Sequence, residues 1–147
     1  VVTGPSAWLT AMITIKQASD LHSSMPMQAL LFEMLKSPEF EQHVEHIRGE
    51  YKKRYLSLYE ALNAELGDRF AVPEVAGGMF LWLPIPDIDP RAVSEQALKQ
   101  GLAVVPSDVF YTQPSLAQPA LRLNFSHASS ANLAEGARRL SRAIAQA

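Results

Sequence analysis

A chain of 147 residues is long enough for one domain with a core and can bury roughly 68–70% of its unfolded surface. Its 48% hydrophobic and 19% charged residues are the composition of an ordinary globular domain. The net charge of −2, with no basic stripe, gives no electrostatic footprint for nucleic acid. Cysteine is absent, which excludes disulfides and thiolate chemistry and agrees with a reducing, cytoplasmic setting. No basic residue precedes Lys16, so the first residues do not read as a signal peptide. The longest nearly unbroken apolar run, Met79 to Pro86, is too short to span a bilayer.

Val1 to Pro5 is apolar, begins without methionine, and reads as the tail of a strand whose earlier half lies upstream. The chain is therefore expected to be a fragment of a longer protein. A helix is predicted from about Ala7 to Asp20, with Trp8, Met12 and Ile15 on one face, although the β-branched Ile13-Thr14-Ile15 cluster opposes it. His22 to Pro26 reads as a loop. Met27, Leu30, Leu31, Met34 and Leu35 then follow the amphipathic helix template. Ser37 and Pro38 supply an N-cap and a first helical residue. The stripe Phe40, Val44, Ile47, Tyr51, Leu58, Leu62 and Leu66 predicts a helix of about 28 residues, roughly 42 Å long. Gly67 stands where such a helix ends in a left-handed residue.

The second half changes character. Gly77 to Leu83 reads as a buried strand ended by Pro84 and Pro86. Asp89-Pro90 starts a short helix that Gly101 ends, and Leu102 to Val105 is a short strand. Val109 to Gln118 reads as loop. Leu121 to Ser126 alternates strictly, and a final amphipathic helix carries Leu133, Ala137, Leu140 and Ile144. Helices first, then strand–helix–strand–strand–helix, predicts an α+β fold. Its small, mainly antiparallel sheet is backed by helices, and long helices connect it to the rest.

The Leu121–Ser126 segment carries the chemistry. Its apolar side faces a core, and its other side offers Arg122 beside Asn124 and Ser126. Arginine forks two donors toward a carboxylate or phosphate in a way lysine cannot. The competing reading is a plain surface arginine on an exposed sheet face. Gly77-Gly78 is either a tight turn or a place where a ligand approaches the backbone. His43 and His46, with Glu41 and Glu45, lack the HExxH pattern and a third ligand, so a solvated helix face is expected and no metal. His127 could bond a ligand, but loop packing is the expected role. No nucleophile elbow accompanies any Ser/His pair, which argues against a hydrolase triad.

Several of these segments, in order, resemble the fold-type I, pyridoxal-phosphate-dependent (PLP-dependent) aminotransferases. Gly77-Gly78-Met79-Phe80-Leu81-Trp82 resembles their GGMFLW segment. Leu102 to Phe110 is similar to their V-x-P-G-x-x-F segment, with Ser107 in place of the glycine. Leu121 to Ser126 resembles the strand bearing their substrate-carboxylate arginine. Val1 to Pro5 resembles the end of a G-Y-x-x-G-P strand, and Ser23 to Gln28 a helix-opening loop. The nearest style is the 2-aminoadipate-type group, to which the effector domains of GntR/MocR-type regulators also belong.

The resemblance implies the C-terminal part of such an enzyme. Residues 1–36 would end the large domain and link it, and 37–147 would form the small domain. The N-terminal cofactor-binding domain would be missing. It implies an enzyme that moves an amino group from an amino acid to a 2-oxo acid, as a homodimer when full-length. Arg122 would bind the substrate α-carboxylate, and Gly78 is a lesser substrate-binding candidate. Lys16, Lys36, Lys52, Lys53 and Lys99 lie in segments that resemble nothing in the cofactor motif. No catalytic residue is therefore expected in this chain, which alone would be inactive and hold no cofactor. A regulator's domain that senses an amino acid or the cofactor, and a free-standing α+β ligand-binding domain, are the alternatives.

Overall fold

The structure is a computed structural model that describes residues 2–147. It divides into two compact units, one up to Glu45 and the other His46–Ala147. The first holds α1 (Ser6–Asp20), α2 (Met25–Lys36) and the opening turns of α3 (Pro38–Leu66). The second holds the rest of α3, then β1 (Phe80–Pro84), α4 (Pro90–Lys99), β2 (Val105–Pro106), β3 (Ala120–Asn124) and α5 (Ser130–Ala145).

In the first unit, α1 forms despite its β-branched residues. Thr10 and Thr14 turn their hydroxyls back onto the carbonyls of Ser6 and Thr10, at 3.0 and 3.1 Å. The second helix begins at Met25, two residues earlier than expected, because Pro26 is accommodated in a first turn that needs no N–H from it. Ser37 caps α3 by accepting the Glu39 N–H at 3.2 Å. A strand is expected over Val1 to Pro5, and none forms over the described residues of that segment. Val1 lies outside the described residues, and Val2 to Pro5 is irregular. A strand needs a partner for its backbone groups, and the described residues provide none for this segment.

In the second unit, Leu58, Leu62 and Leu66 of α3, Val93 and Ala97 of α4, and Leu133, Ala137, Leu140 and Ile144 of α5 form one core. They pack with Leu81, Leu83, Leu121 and Leu123 of the sheet. The sheet has the order β1-β3-β2 with both pairings antiparallel. One face of it is buried against helices. The apolar run from Gly77 to Leu83 is therefore not buried on both sides. Leu81 and Leu83 face the core, while Phe80 and Pro84 are exposed and Trp82 half-buried. Pro84 is tolerated because β1 is an edge strand.

Three expected boundaries are corrected by backbone geometry. Gly67 does follow the end of α3, but not in a left-handed conformation. A Cβ there would lie 2.5 Å from the Asn63 carbonyl oxygen, so close backbone approach requires the glycine. Gly101, with φ +71°, is the left-handed cap. Around it Leu102 N–H donates to Ala97 O and Gly101 N–H to Leu98 O, both at 2.9 Å, the paired bonds of a Schellman turn. That turn uses Leu102, so the chain reaches β3 only at Val105, and β2 is two residues long. The stretch expected as loop from Val109 to Gln118 contains the end of a 3-10 turn, Ser107–Phe110, and a second one, Pro114–Leu116.

Polar contacts tie α5 to α4. Arg139 donates to Glu135 at 2.9 Å and to the Gln100 carbonyl at 3.0 Å. Arg139 first, then Arg138, holds the Glu135 carboxyl below its ordinary range.

Leu62 is fully enclosed, so Leu62→Ala is expected to cost about 2–5 kcal/mol, read as a shift in the urea midpoint with the slope unchanged. Trp8 is 73% exposed, and Met12, Ile15, Leu30, Leu31 and Leu35 are exposed with it. The isolated 147-residue chain is therefore expected to self-associate and to bind an apolar dye. Sedimentation as a clean monomer that leaves the dye dark would contradict this.

Candidate functional site

Side chains on a strand alternate between faces. Leu121 and Leu123 enter the core, so Arg122 and Asn124 stand on the other face of β3. Trp82 of β1 and Val105 of β2 lie directly across from Arg122 on either side, and Phe80 is across from Asn124. That places Phe80 diagonal to Arg122, within reach of a long side chain. The Arg122 guanidinium carbon lies 4.3 Å from the centre of the Phe80 ring and 4.6 Å from that of Phe110. Trp82 meets the Phe110 ring edge-on at 5.6 Å. Among the described residues no acid pairs with Arg122, and no hydrogen bond engages its N–H groups. A half-buried guanidinium is thus held by rings and leaves its donors available.

Phe110 ends the 3-10 turn Ser107–Phe110, and that turn is pinned. Ser107 is 1% exposed, and its hydroxyl accepts the Ala120 N–H at 3.2 Å, where β3 begins. Asp108 takes the Arg91 Nε–H at 2.7 Å on one oxygen. Its other oxygen is buried with no hydrogen-bond partner. Ser107, which departs from the resembled glycine, thus has a structural use.

The neighbours expected to share the clamp are otherwise engaged. Asn124 Oδ1 accepts both the N–H and the hydroxyl of Ser126, at 3.0 and 3.2 Å. The Ser126 carbonyl accepts from Arg54. This local turn spends the Asn124 oxygen on its own backbone.

Gly78 sits in different surroundings. With Gly77 it lines a cavity of about 480 Å³, together with Tyr51, Tyr55, Leu56 and Phe125, and Arg122 does not line it. The Tyr55 hydroxyl holds this segment by accepting the Val75 N–H at 3.1 Å. Gly78 has φ +97°, which needs a glycine, while a Cβ on either glycine would meet nothing within 4 Å. Backbone conformation therefore accounts for Gly78.

His43, His46 and His127 are exposed. Among the described residues no group of three or more His, Cys, Asp or Glu could hold a metal ion, and no helix is long and apolar enough to cross a membrane. All five lysines are exposed. Lys16, Lys36 and Lys53 pair with acids on their own helices, and Lys99 donates to Gln96. Sequence reasoning missed Phe80 and Phe110 as companions of Arg122. The signal for Phe80 was the alternation in β1 combined with antiparallel pairing. Phe110 carried a weaker one, as the last residue of the V-x-P-G-x-x-F-like segment.

A family model described as aminotransferase class I and II matches residues 1–140. The 2-aminoadipate transaminase of Thermus thermophilus is 31% identical over 144 residues, which cover 97% of this chain and 36% of that protein. A solved kynurenine aminotransferase of Pyrococcus horikoshii, in complex with PMP, superposes with a TM-score of 0.83 at 30% identity, covering 96% of this chain and 35% of that one. An uncharacterized HTH-type transcriptional regulator of Bacillus subtilis is 26% identical over 136 residues, covering 92% of this chain and 28% of the regulator. The chain thus spans about a third of the length of the relatives it matches.

Gly78→Ala would force an alanine into the left-handed region and is expected to cost about 1–2 kcal/mol. Gly77→Ala, without that constraint, should be neutral or slightly stabilising. Urea unfolding of both variants checks the contrast, and equal midpoints would refute it.

Proposed function

The chain belongs to the class I and II aminotransferase family, whose fold-type I members depend on PLP, and from that premise we propose that the protein containing it moves an amino group from an amino acid to a 2-oxo acid. Arg122 binds the substrate α-carboxylate. The observation that supports this most is the guanidinium itself. It is fixed on the central strand, packed on aromatic rings, and uses none of its N–H groups within the described residues. A structural arginine on a sheet commonly ends on an acid or a carbonyl, and this one does not.

The chain's lysines do not fit the bond to the cofactor. All five lysines are exposed and so lack the desolvated setting that makes a lysine amine a nucleophile. No step through PLP is assigned to them. What this chain supplies is positioning. Two parallel N–H···O bonds from one guanidinium fix both the place and the plane of a carboxylate. Holding that end still restricts where the α-carbon sits, and such restriction can supply several kcal/mol of a barrier. The aromatic neighbours confine the guanidinium without taking up its donors. In this reading the full-length enzyme is a homodimer and residues 37–147 form its small domain. Gly78 is kept as a substrate-side residue only through its place on the open cavity.

A second reading is favoured by the matches to HTH-type regulators. There the same domain senses an amino acid or the cofactor, and an N-terminal winged-helix domain binds DNA. Specific DNA binding by the full-length protein, without amino transfer to any 2-oxo acid, would select it.

In the full-length protein Arg122→Ala is expected to lower kcat/KM for the amino donor about 100-fold or more. Arg122→Lys should recover little of this, since it keeps charge but not the fork. Steady-state transfer assays with a panel of donors and acceptors measure both. Near-normal turnover in Arg122→Ala would remove the assignment.

A further inference from the structure

The rings beside Arg122 come from two places. Phe80 enters from the edge strand β1, diagonal across the ladder from Arg122. Phe110 enters from the 3-10 turn that follows β2. The guanidinium carbon lies over both. A ring face attracts a cation without taking up any of its N–H donors. An acid in the same place would take them. An arginine side chain carries about 2 kcal/mol of rotamer entropy, which a ligand must otherwise quench on binding. Two rings that already confine it remove part of that cost.

We infer that Phe80 and Phe110 are positioning residues for Arg122, and that Ser107 and Asp108 hold Phe110 against it. The inference rests on the reading of Arg122 as the carboxylate clamp, and it adds what prepares the clamp. A single 3-10 turn has poor hydrogen-bond geometry and little stability of its own. This one is fastened through the buried Ser107 hydroxyl to the first amide of β3, two residues from Arg122. It is fastened again through Asp108 to Arg91 on α4. A glycine at 107, as in the resembled pattern, could not accept the Ala120 N–H. This chain therefore has its own way of keeping Phe110 in place. Trp82 completes the set by meeting the Phe110 ring edge-on. The two rings are 38% and 45% exposed, so neither is a core residue whose replacement would threaten folding.

The test uses the full-length protein and five variants: Phe110→Leu, Phe110→Tyr, Phe80→Leu, Ser107→Gly and Arg122→Lys. Two readouts are taken, the KM and kcat for an amino-acid donor and the nuclear magnetic resonance signal of the Arg122 Nε–H. Each leucine variant is expected to raise KM roughly five- to thirty-fold with a smaller change in kcat. Each should also move the Arg122 signal out of its ring-shifted position. Phe110→Tyr keeps a ring face and should restore both readouts close to wild type. Ser107→Gly should shift the Arg122 signal in the same direction as Phe110→Leu, and an unmoved signal would remove Ser107 from the set. If Arg122→Lys is crippled while both leucine variants match wild type, the positioning role is wrong and the clamp stands. If Phe110→Leu and Phe110→Tyr are equally impaired, side-chain fit at 110 and not the ring face is at work, which also overturns it. If Arg122→Lys turns over like wild type, the clamp reading falls and the positioning role falls with it.

Discussion

The strict alternation of β3 is the constraint on which the rest depends. Leu121 and Leu123 close the core against three helices, and this sends Arg122 to the opposite face. A slip of one residue would exchange the faces, exposing two leucines and burying an unpaired guanidinium. The hydrophobic core therefore aims the arginine. β3 is the central strand, and pairing on both sides, with β1 over five residues and with β2 over two, locks that register.

On the face away from the core the environment is aromatic and not acidic. Phe80, Trp82 and Phe110 surround Arg122, while the nearby Asn124 turns to Ser126. A cation supported by ring faces is held without being neutralised. Arg139 is held differently, since its N–H groups are taken by Glu135 and the end of α4. The two arginines show opposite uses of the same side chain within one unit.

Membership of the aminotransferase family settles the fold more firmly than the use made of it. Transferases and HTH-type regulators both match over most of the chain, and one fold carries both kinds of protein. The proposed role of Arg122 on β3 is common to both readings. A carboxylate clamp serves recognition as well as it serves catalysis.

Period and punctuation alone determined much of this protein. The α3 stripe with its Ser37-Pro38 start, the Asp89-Pro90 start of α4, the Gly101 stop, the α5 face and the alternating Arg122 strand are local signals, each carried by a few adjacent residues. Chain pairing decided what those signals could not. Gly67 is required by a carbonyl a turn away and not by its own φ. β2 is short because a Schellman turn uses the residues before it. The apolar β1 run has an open face because, within the second unit, the described helices pack on one side of the sheet. Arg122 is gripped by Phe80 and Phe110, which lie 42 and 12 positions away along the chain. Contacts across that separation depend on strand register and turn anchoring, which exist only once the backbone has closed.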